Sequence, residues 1–255
     1  MFAPKSVLIT GTNRGLGLAL VRQLLELPSP PNHIFACCRT PENAEDLNCI
    51  ANENPQVVVL KLELTDTSSI EGCANTVEKI VGDSGLNVLI NNGAIMKEPL
   101  TDRMKDTTEE MLNRTLGVNV VGTAMVTKYF LPMVRTAARG LKEYDSSKAS
   151  IFNISSEWSS VSTLAHREGH YNYPYSMSKA SVNMMTRLLA MEFKENNEKI
   201  LCMCIEPGWL MTEIGGFIGP TPPEESAKAL LKVFATRTEA HHGGFYTHEG
   251  KDFPF

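Results

Sequence analysis

The chain has 255 residues, 42% of them hydrophobic and 21% charged, which is long enough for one large α/β domain or two small ones and too apolar for a disordered chain. Its 24 Lys and Arg against 29 Asp and Glu give a net charge of −5, without the basic excess of a nucleic-acid binder. The 18 Gly and 14 Pro are ordinary usage and exclude a fibrous or low-complexity chain.

In chain order, short apolar or β-branched runs predict strands at 6–9, 34–38, 57–62, 87–90, 150–154, 200–205 and 244–247. Most are continuous runs, the pattern of strands buried on both faces of a parallel sheet. Helix-length segments lie between them at 16–27, 42–52, 68–82, 107–135, 173–195 and 224–235. The alternation predicts a doubly wound, Rossmann-like α/β fold, a parallel sheet of about seven strands with helices on both faces. No repeat or linker interrupts it, so residues 1–255 read as one NAD(P)-binding domain. Two irregular stretches, 157–174 and 210–223, read as substrate loops.

The first strand runs into Thr10-Gly11-Thr12-Asn13-Arg14-Gly15-Leu16-Gly17 and then a helix. Glycines permit a tight turn and close approach to a pyrophosphate, and the helix N-terminus offers free N–H groups. The spacing is G-x-x-x-G-x-G rather than G-x-G-x-x-G, and no Gly-Lys-Ser/Thr follows to make a P-loop. Cofactor contacts are expected from Gly11, Asn13, Arg14, Gly15, Leu16 and Gly17. The second strand ends in Cys37-Cys38-Arg39-Thr40, with no acidic residue to accept from a ribose 2′-hydroxyl. Arg14 and Arg39 suit a 2′-phosphate, which favours NADPH.

The six cysteines form no metal-spaced pair and four of them lie in strand-like runs, so buried, reduced thiols and no metal site are expected. No apolar run is long enough to span a bilayer and no secretory pattern opens the chain, so the expected setting is cytoplasmic, without membrane or nucleic-acid partners.

Tyr175-Ser176-Met177-Ser178-Lys179 opens a predicted helix and places a phenol and an ammonium four residues apart on one face. An adjacent ammonium is expected to lower the phenol's pKa, making Tyr175 a general acid for carbonyl reduction. Tyr171 and Tyr173 have no lysine four residues on. Upstream, Ile151-Phe152-Asn153-Ile154-Ser155-Ser156 reads as a buried strand ending in two hydroxyls, where a serine polarises a substrate carbonyl. Ser155, Ser156 and Ser162 all remain candidates. The predicted helix at 173–195 carries one apolar stripe through Val182, Met185, Leu189 and Phe193 and another through Met184, Leu188 and Met191. The second stripe suggests a partner subunit and a homodimer.

These blocks, with Asn91-Asn92-Gly93-Ala94, Val118-Asn119-Val120 and Pro207-Gly208 followed by Thr212, resemble the short-chain dehydrogenase/reductase family, in its order from residue 10 to 212. Asn13–Leu18, Gly85–Leu89, Pro207-Gly208-Trp209 with Gly215-Gly216, and Gly243-Gly244-Phe245 are similar to its sniffer-type, C-factor-like carbonyl reductases. The resemblance implies Tyr175 as proton donor, Lys179 as its partner and a hold on the nicotinamide ribose, Ser156 as the polarising serine, and Asn119 positioning a proton-relaying water. It places Asn91 by the adenine ribose, Thr212 near the carboxamide and Glu63 where an Asp commonly meets the adenine, and it adds Leu64, Gly93, Pro207 and Gly208 to the cofactor contacts. Hydride passes directly from NADPH to a ketone, quinone or aldehyde. The expected pocket lining is Trp158, Tyr171, Trp209 and Met211. A non-catalytic NADP(H) sensor or scaffold, and a steroid or pteridine reductase, are the alternatives. The chain departs from the family at Gly93-Ala94, where Ala-Gly is usual, at Glu63, where Asp is usual, and in the long stretch from Ser156 to Tyr175.

Overall fold

The computed structural model describes residues 1–96, 103–164 and 172–255. Its elements are β1 (Ser6–Thr10), α1 (Gly15–Leu25), β2 (His33–Cys38), α2 (Glu45–Glu53), β3 (Val57–Lys61), α3 (Thr67–Val81), β4 (Val88–Asn91), α4 (Glu109–Leu116), α5 (Thr123–Ala138), β5 (Ser150–Ile154), α6 (Tyr173–Glu195), β6 (Leu201–Glu206), α7 (Pro223–Ala235) and β7 (Phe245–Thr247). The seven strands form one sheet in the order β3-β2-β1-β4-β5-β6-β7, and every pairing is parallel. This is the doubly wound fold that the alternation predicts.

Successive side chains of a strand point to opposite faces, so the continuous apolar runs supply two cores at once. Val7 and Ile9 of β1 lie on one face with Leu20, Leu24, Leu230 and Phe234 of α1 and α7. Leu8 lies on the other with Ile70, Val77, Phe130 and Val134 of α3 and α5. Winding reverses between β1 and β4, opening a crevice at the C-terminal ends of the strands, where ligands bind in such sheets.

Helix starts follow local chemistry. The Asp66 carboxylate accepts from the Ser68 and Ser69 amides before α3, the Thr108 hydroxyl accepts from the Met111 amide before α4, and the Asn172 side chain accepts from the Tyr175 amide before α6. The single helix expected at 107–135 is instead α4 and α5 joined by a π-helical segment, Gly117–Gly122. The wider turn shifts the register and Asn119 ends up buried inside. A 3.6-residue pattern holds no sign of such an insertion, although Gly117 and Gly122 flank it.

Candidate active site

Because the sheet is entirely parallel, the C-terminal ends of β1, β4, β5 and β6 meet along one edge. There the loop after β1 turns through Gly11 (φ +72°) and Gly15 (φ +56°), a left-handed backbone that glycine adopts without steric cost. A Cβ on Gly17 would meet the Gly11 carbonyl oxygen, and one on Gly11 would lie 2.8 Å from the Gly93 Cα. Asn92 clamps the loop from the next strand: its side-chain amide donates to the carbonyls of Thr10 (2.8 Å) and Gly11 (3.2 Å). The Thr12 amide and hydroxyl both donate to the Cys37 carbonyl, tying the loop to β2. No side chain caps the first turn of α1, so its N–H groups face the crevice as an anion cradle.

Among the loop residues, Asn13 and Arg14 are exposed, whereas the Leu16 side chain belongs to the core and only its backbone is at the cradle. Arg14 pairs at 2.6 Å with Glu213 of the loop after β6, and the Thr212 methyl lies 3.3 Å from where a Gly15 Cβ would stand. Arg39 is largely exposed just past β2, with its Nε 3.8 Å from Glu63 Oε2. Glu63 also accepts from the amide and hydroxyl of Thr65, and Leu64 packs against Gly93 and Gly122. The Gly93-Ala94 departure carries no left-handed strain, because Asn197 and Phe217 are the only described non-glycine residues with positive φ.

Asn91 faces inward. Its amide nitrogen donates to Thr127 Oγ1 and Asn153 Oδ1, and its own Oδ1 is buried without a partner. The side chain therefore braces β4 against α5 and β5, contrary to a place beside a ribose. Asn153 continues the polar strip by donating to Thr186 Oγ1 (2.7 Å), which meets the Cys204 thiol at 3.0 Å. A polar residue inside each of two apolar strands was the available signal for this strip.

At the end of β5 the three serines separate. The Ser155 hydroxyl is buried and donates to Asn183 Oδ1 at 2.6 Å. Ser162 donates to the Phe255 carbonyl. Ser156, whose hydroxyl accepts from the Trp158 amide at 3.2 Å, is the serine close enough to act on the Tyr175 phenol. Trp158 stands edge-on to the Tyr175 ring, with centroids 6.2 Å apart and planes at 76°. The Lys179 ammonium lies 5.8 Å from the ring centroid and donates to the Ile154 carbonyl at 2.7 Å. Asn119 exchanges two hydrogen bonds with the backbone of Ile95, both at 2.8 Å, and donates to the Ser178 hydroxyl beside Lys179. Trp209 and Met211 are about half exposed on the loop after β6, where the Trp209 indole N–H donates to the Gly215 carbonyl. Tyr171 lies outside the described residues.

The electrostatics correct one expectation. The Tyr175 phenol is pushed up to about 12, because burial outweighs the hydrogen bond from Ser156 and the Glu206 carboxylate adds to the rise. Burial also pushes Lys179 down to about 8. The ammonium does not lower the phenol as the spacing suggested, since both groups are desolvated together. Tyr175 therefore holds its proton through neutral and moderately alkaline pH.

Lys179 carries a stability consequence. An unfolded lysine keeps its proton to its ordinary value of 10.5, while the folded one releases it near 8. Between these limits the unfolded state binds more protons, so stability contributed by Lys179 rises with pH. Relative to Lys179→Met, the wild type should gain roughly 3 kcal/mol from pH 8 to 10.5 in denaturant melts. A constant difference between the two curves would show that Lys179 is not desolvated.

Among the described residues there is no His, Cys, Asp or Glu cluster fit for a metal, and no helix long and apolar enough to cross a membrane.

The short chain dehydrogenase family model matches residues 5–222. The structure is similar to carbonyl reductase Sniffer of D. melanogaster, with a TM-score of 0.93 and 31% identity, covering 99% of this chain and 100% of that one. It is similar to the NADPH-bound carbonyl reductase from chicken fatty liver, with a TM-score of 0.92 and 35% identity over 99% and 100% of the two chains. An oxidoreductase of Schizosaccharomyces pombe is 29% identical over 268 aligned positions, 98% of each chain.

Proposed function

The chain belongs to the short chain dehydrogenase family of oxidoreductases, and from that premise we propose that it reduces a ketone, quinone or aldehyde to the alcohol with NADPH. The observation that carries this reading is the buried Tyr175, beside Ser156 and one helical turn from Lys179, on the same sheet edge as the glycine cradle. Carbonyl reductases of similar structure, one of them NADPH-bound, support it.

The residues present fit the cofactor. The uncapped start of α1 and the missing Cβ atoms of Gly11, Gly15 and Gly17 leave room for a pyrophosphate against free N–H groups. Asn13, Arg14 and Leu16 contribute from the same loop, Leu16 through its backbone. Arg14 and Arg39 take the 2′-phosphate. Their present carboxylate partners, Glu213 and Glu63, make solvent-facing ion pairs of little net strength, so a phosphate can replace them. Glu63, Leu64 and Gly93 line the adenosine side, with Asn91 bracing the floor beneath. Pro207, Gly208 and Thr212 line the nicotinamide side.

When bound, NADPH supplies the hydride. Ser156 donates to the carbonyl oxygen and polarises it, and Tyr175 delivers its proton to that oxygen as negative charge develops there. A phenol at about 12 is protonated throughout the working range, as an acid for reduction must be. Lys179 supports the phenolate and holds the nicotinamide ribose. Asn119 shapes the wall beside Lys179 where a water relays the replacement proton. Trp158, Trp209 and Met211 supply apolar surface suited to aromatic or aliphatic carbonyl compounds, and Tyr171, expected beside them, lies outside the described residues. Residues 1–255 act as one cofactor-binding domain; the expected substrate loops 157–174 and 210–223 each run into the next helix, at Tyr173 of α6 and Pro223 of α7, and residues 165–171 of the first lie outside the described residues.

Met184, Leu188 and Met191 are exposed at 61%, 57% and 55% along α6, while Val182 and Phe193 are buried. This unpartnered stripe supports a homodimer, and light scattering showing a monomer at micromolar concentration would remove it. All six cysteines are free and five are buried, which suits a cytoplasmic protein.

The test is loss of NADPH absorbance with a panel of quinones, ketones and aldehydes. Turnover with at least one carbonyl is expected. Tight NADPH binding with no turnover would identify a sensor instead. Arg39→Asp should weaken NADPH by at least about tenfold and leave NADH nearly unchanged. Equal binding of both cofactors by wild type and variant would remove Arg39 from the 2′-phosphate site.

A further inference from the structure

β6 is buried along its length and ends in a carboxylate, Glu206, whose residue is only 8% exposed. A buried carboxylate needs partners, and here they are specific. One oxygen accepts the Gly208 N–H at 2.6 Å, closing a tight turn through Pro207. The other lies 3.6 Å from His248 Nδ1, a contact longer than a hydrogen bond, and that nitrogen is buried without any hydrogen-bond partner. The topology brings His248 there, because Glu206 is in register with Thr247 of β7 and His248 is the next residue. The imidazole packs on the Gly208 α-carbon: a Cβ at Gly208, which has φ +89°, would lie 3.0 Å from His248 Cε1. The Ser226 hydroxyl holds the same turn from α7 by donating to the Pro207 carbonyl at 2.6 Å.

This turn launches the loop that carries Trp209, Met211 and Thr212. It lies one strand from the serines of β5, since Ile154 pairs with Ile205 and the Ser155 amide donates to the Ile205 carbonyl. We propose that Glu206 and His248 are a positioning pair that fixes the Pro207–Gly208 turn beside Tyr175 for reduction. The assignment rests on the carbonyl-reductase reading above. Neither residue belongs to the blocks that carry the family resemblance. The Glu206 carboxylate also helps keep the phenol protonated, which is consistent with its closeness to the site.

The experiment compares wild type, Glu206→Gln, Glu206→Asp and His248→Ala on the same carbonyl panel, with NADPH binding followed by fluorescence and folding by circular dichroism. Glutamine keeps an acceptor for the Gly208 N–H at the native reach. Aspartate keeps the charge and is one methylene short of both partners. Glu206→Asp should lose about tenfold or more in kcat and Glu206→Gln no more than about threefold, because small misplacements of a reacting group cost large factors. His248→Ala should fall between them. KM for NADPH should stay within about threefold throughout, the split expected when an interaction matters mainly in the transition state. Wild-type kcat in Glu206→Asp, or the reverse ranking of the two Glu206 variants, overturns the proposal. Wild-type kcat in His248→Ala removes His248 from it. A wild type inert on every carbonyl overturns the reductase reading instead, and this assignment with it.

Discussion

Tyr175→Phe is expected to lower kcat for carbonyl reduction by at least about 100-fold and to leave NADPH affinity within about threefold. The change removes one oxygen from a residue that is only 8% exposed, and keeps the ring that stands edge-on to Trp158. The fold should therefore persist. It loses the phenol, the group of the Ser156–Tyr175–Lys179 set proposed to give its proton to the carbonyl oxygen. Ser156 is a far weaker acid and Lys179, 5.8 Å from the ring centre, is held by the Ile154 carbonyl. Stopped-flow single turnovers with NADPH and a quinone would measure the step directly. Equal rates for wild type and variant would remove Tyr175 from the chemistry.

Gly17→Ala should destabilise the protein by roughly 2–3 kcal/mol, the scale of overpacking in a dense interior. In an exposed helix the same exchange would stabilise by up to about 1 kcal/mol. Two effects therefore oppose, and the contacts decide between them. The new methyl would run into the Gly11 carbonyl and lie 2.8 Å from Asn92 Nδ2. Neither can retreat easily. Gly11 is pressed against Gly93, and the Asn92 amide is held by the carbonyls of Thr10 and Gly11. Relief would open the β1–α1 turn, so NADPH affinity should fall by at least about tenfold as the cradle loses its shape. Gly72→Ala in α3 is the control, because nothing lies within 4 Å of its Cβ position and helix propensity alone applies. Chemical denaturation of the two variants should give shifts of opposite sign. Gains of equal size would show that the turn is looser than its contacts indicate.

Much of the molecule was legible in one dimension. The apolar runs identified all seven strands, because a strand covered on both faces needs apolar residues at consecutive positions. Gly11, Gly15 and Gly17 were legible because a tight turn and a close helix–strand contact admit little else. The spacing of Tyr175 and Lys179 was legible because it is a property of one helix.

Direction and environment were not legible in the same way. Asn91 and Asn92 are adjacent, yet one side chain braces the interior and the other holds the glycine loop. Strand parity separates them, and only the packing of α5 says which face is which. Ser155 and Ser156 divide likewise, one bonded to Asn183 inside and the other, accepting from the Trp158 amide, on the side of Tyr175. The π-segment that buries Asn119 joins α4 to α5 and is covered by α6, a helix more than fifty residues further along the chain.

The amino-acid sequence by itself determined the doubly wound sheet, the glycine cradle and the Tyr175–Lys179 spacing, since each follows from the local steric and apolar demands of its own segment. Only the tertiary structure decided which serine meets the phenol, that Lys179 is pushed down while Tyr175 is pushed up, and that Glu206 meets His248 from another strand. Those properties depend on burial and on partners distant in the chain, and desolvation is set by everything packed around a group rather than by its neighbours in sequence.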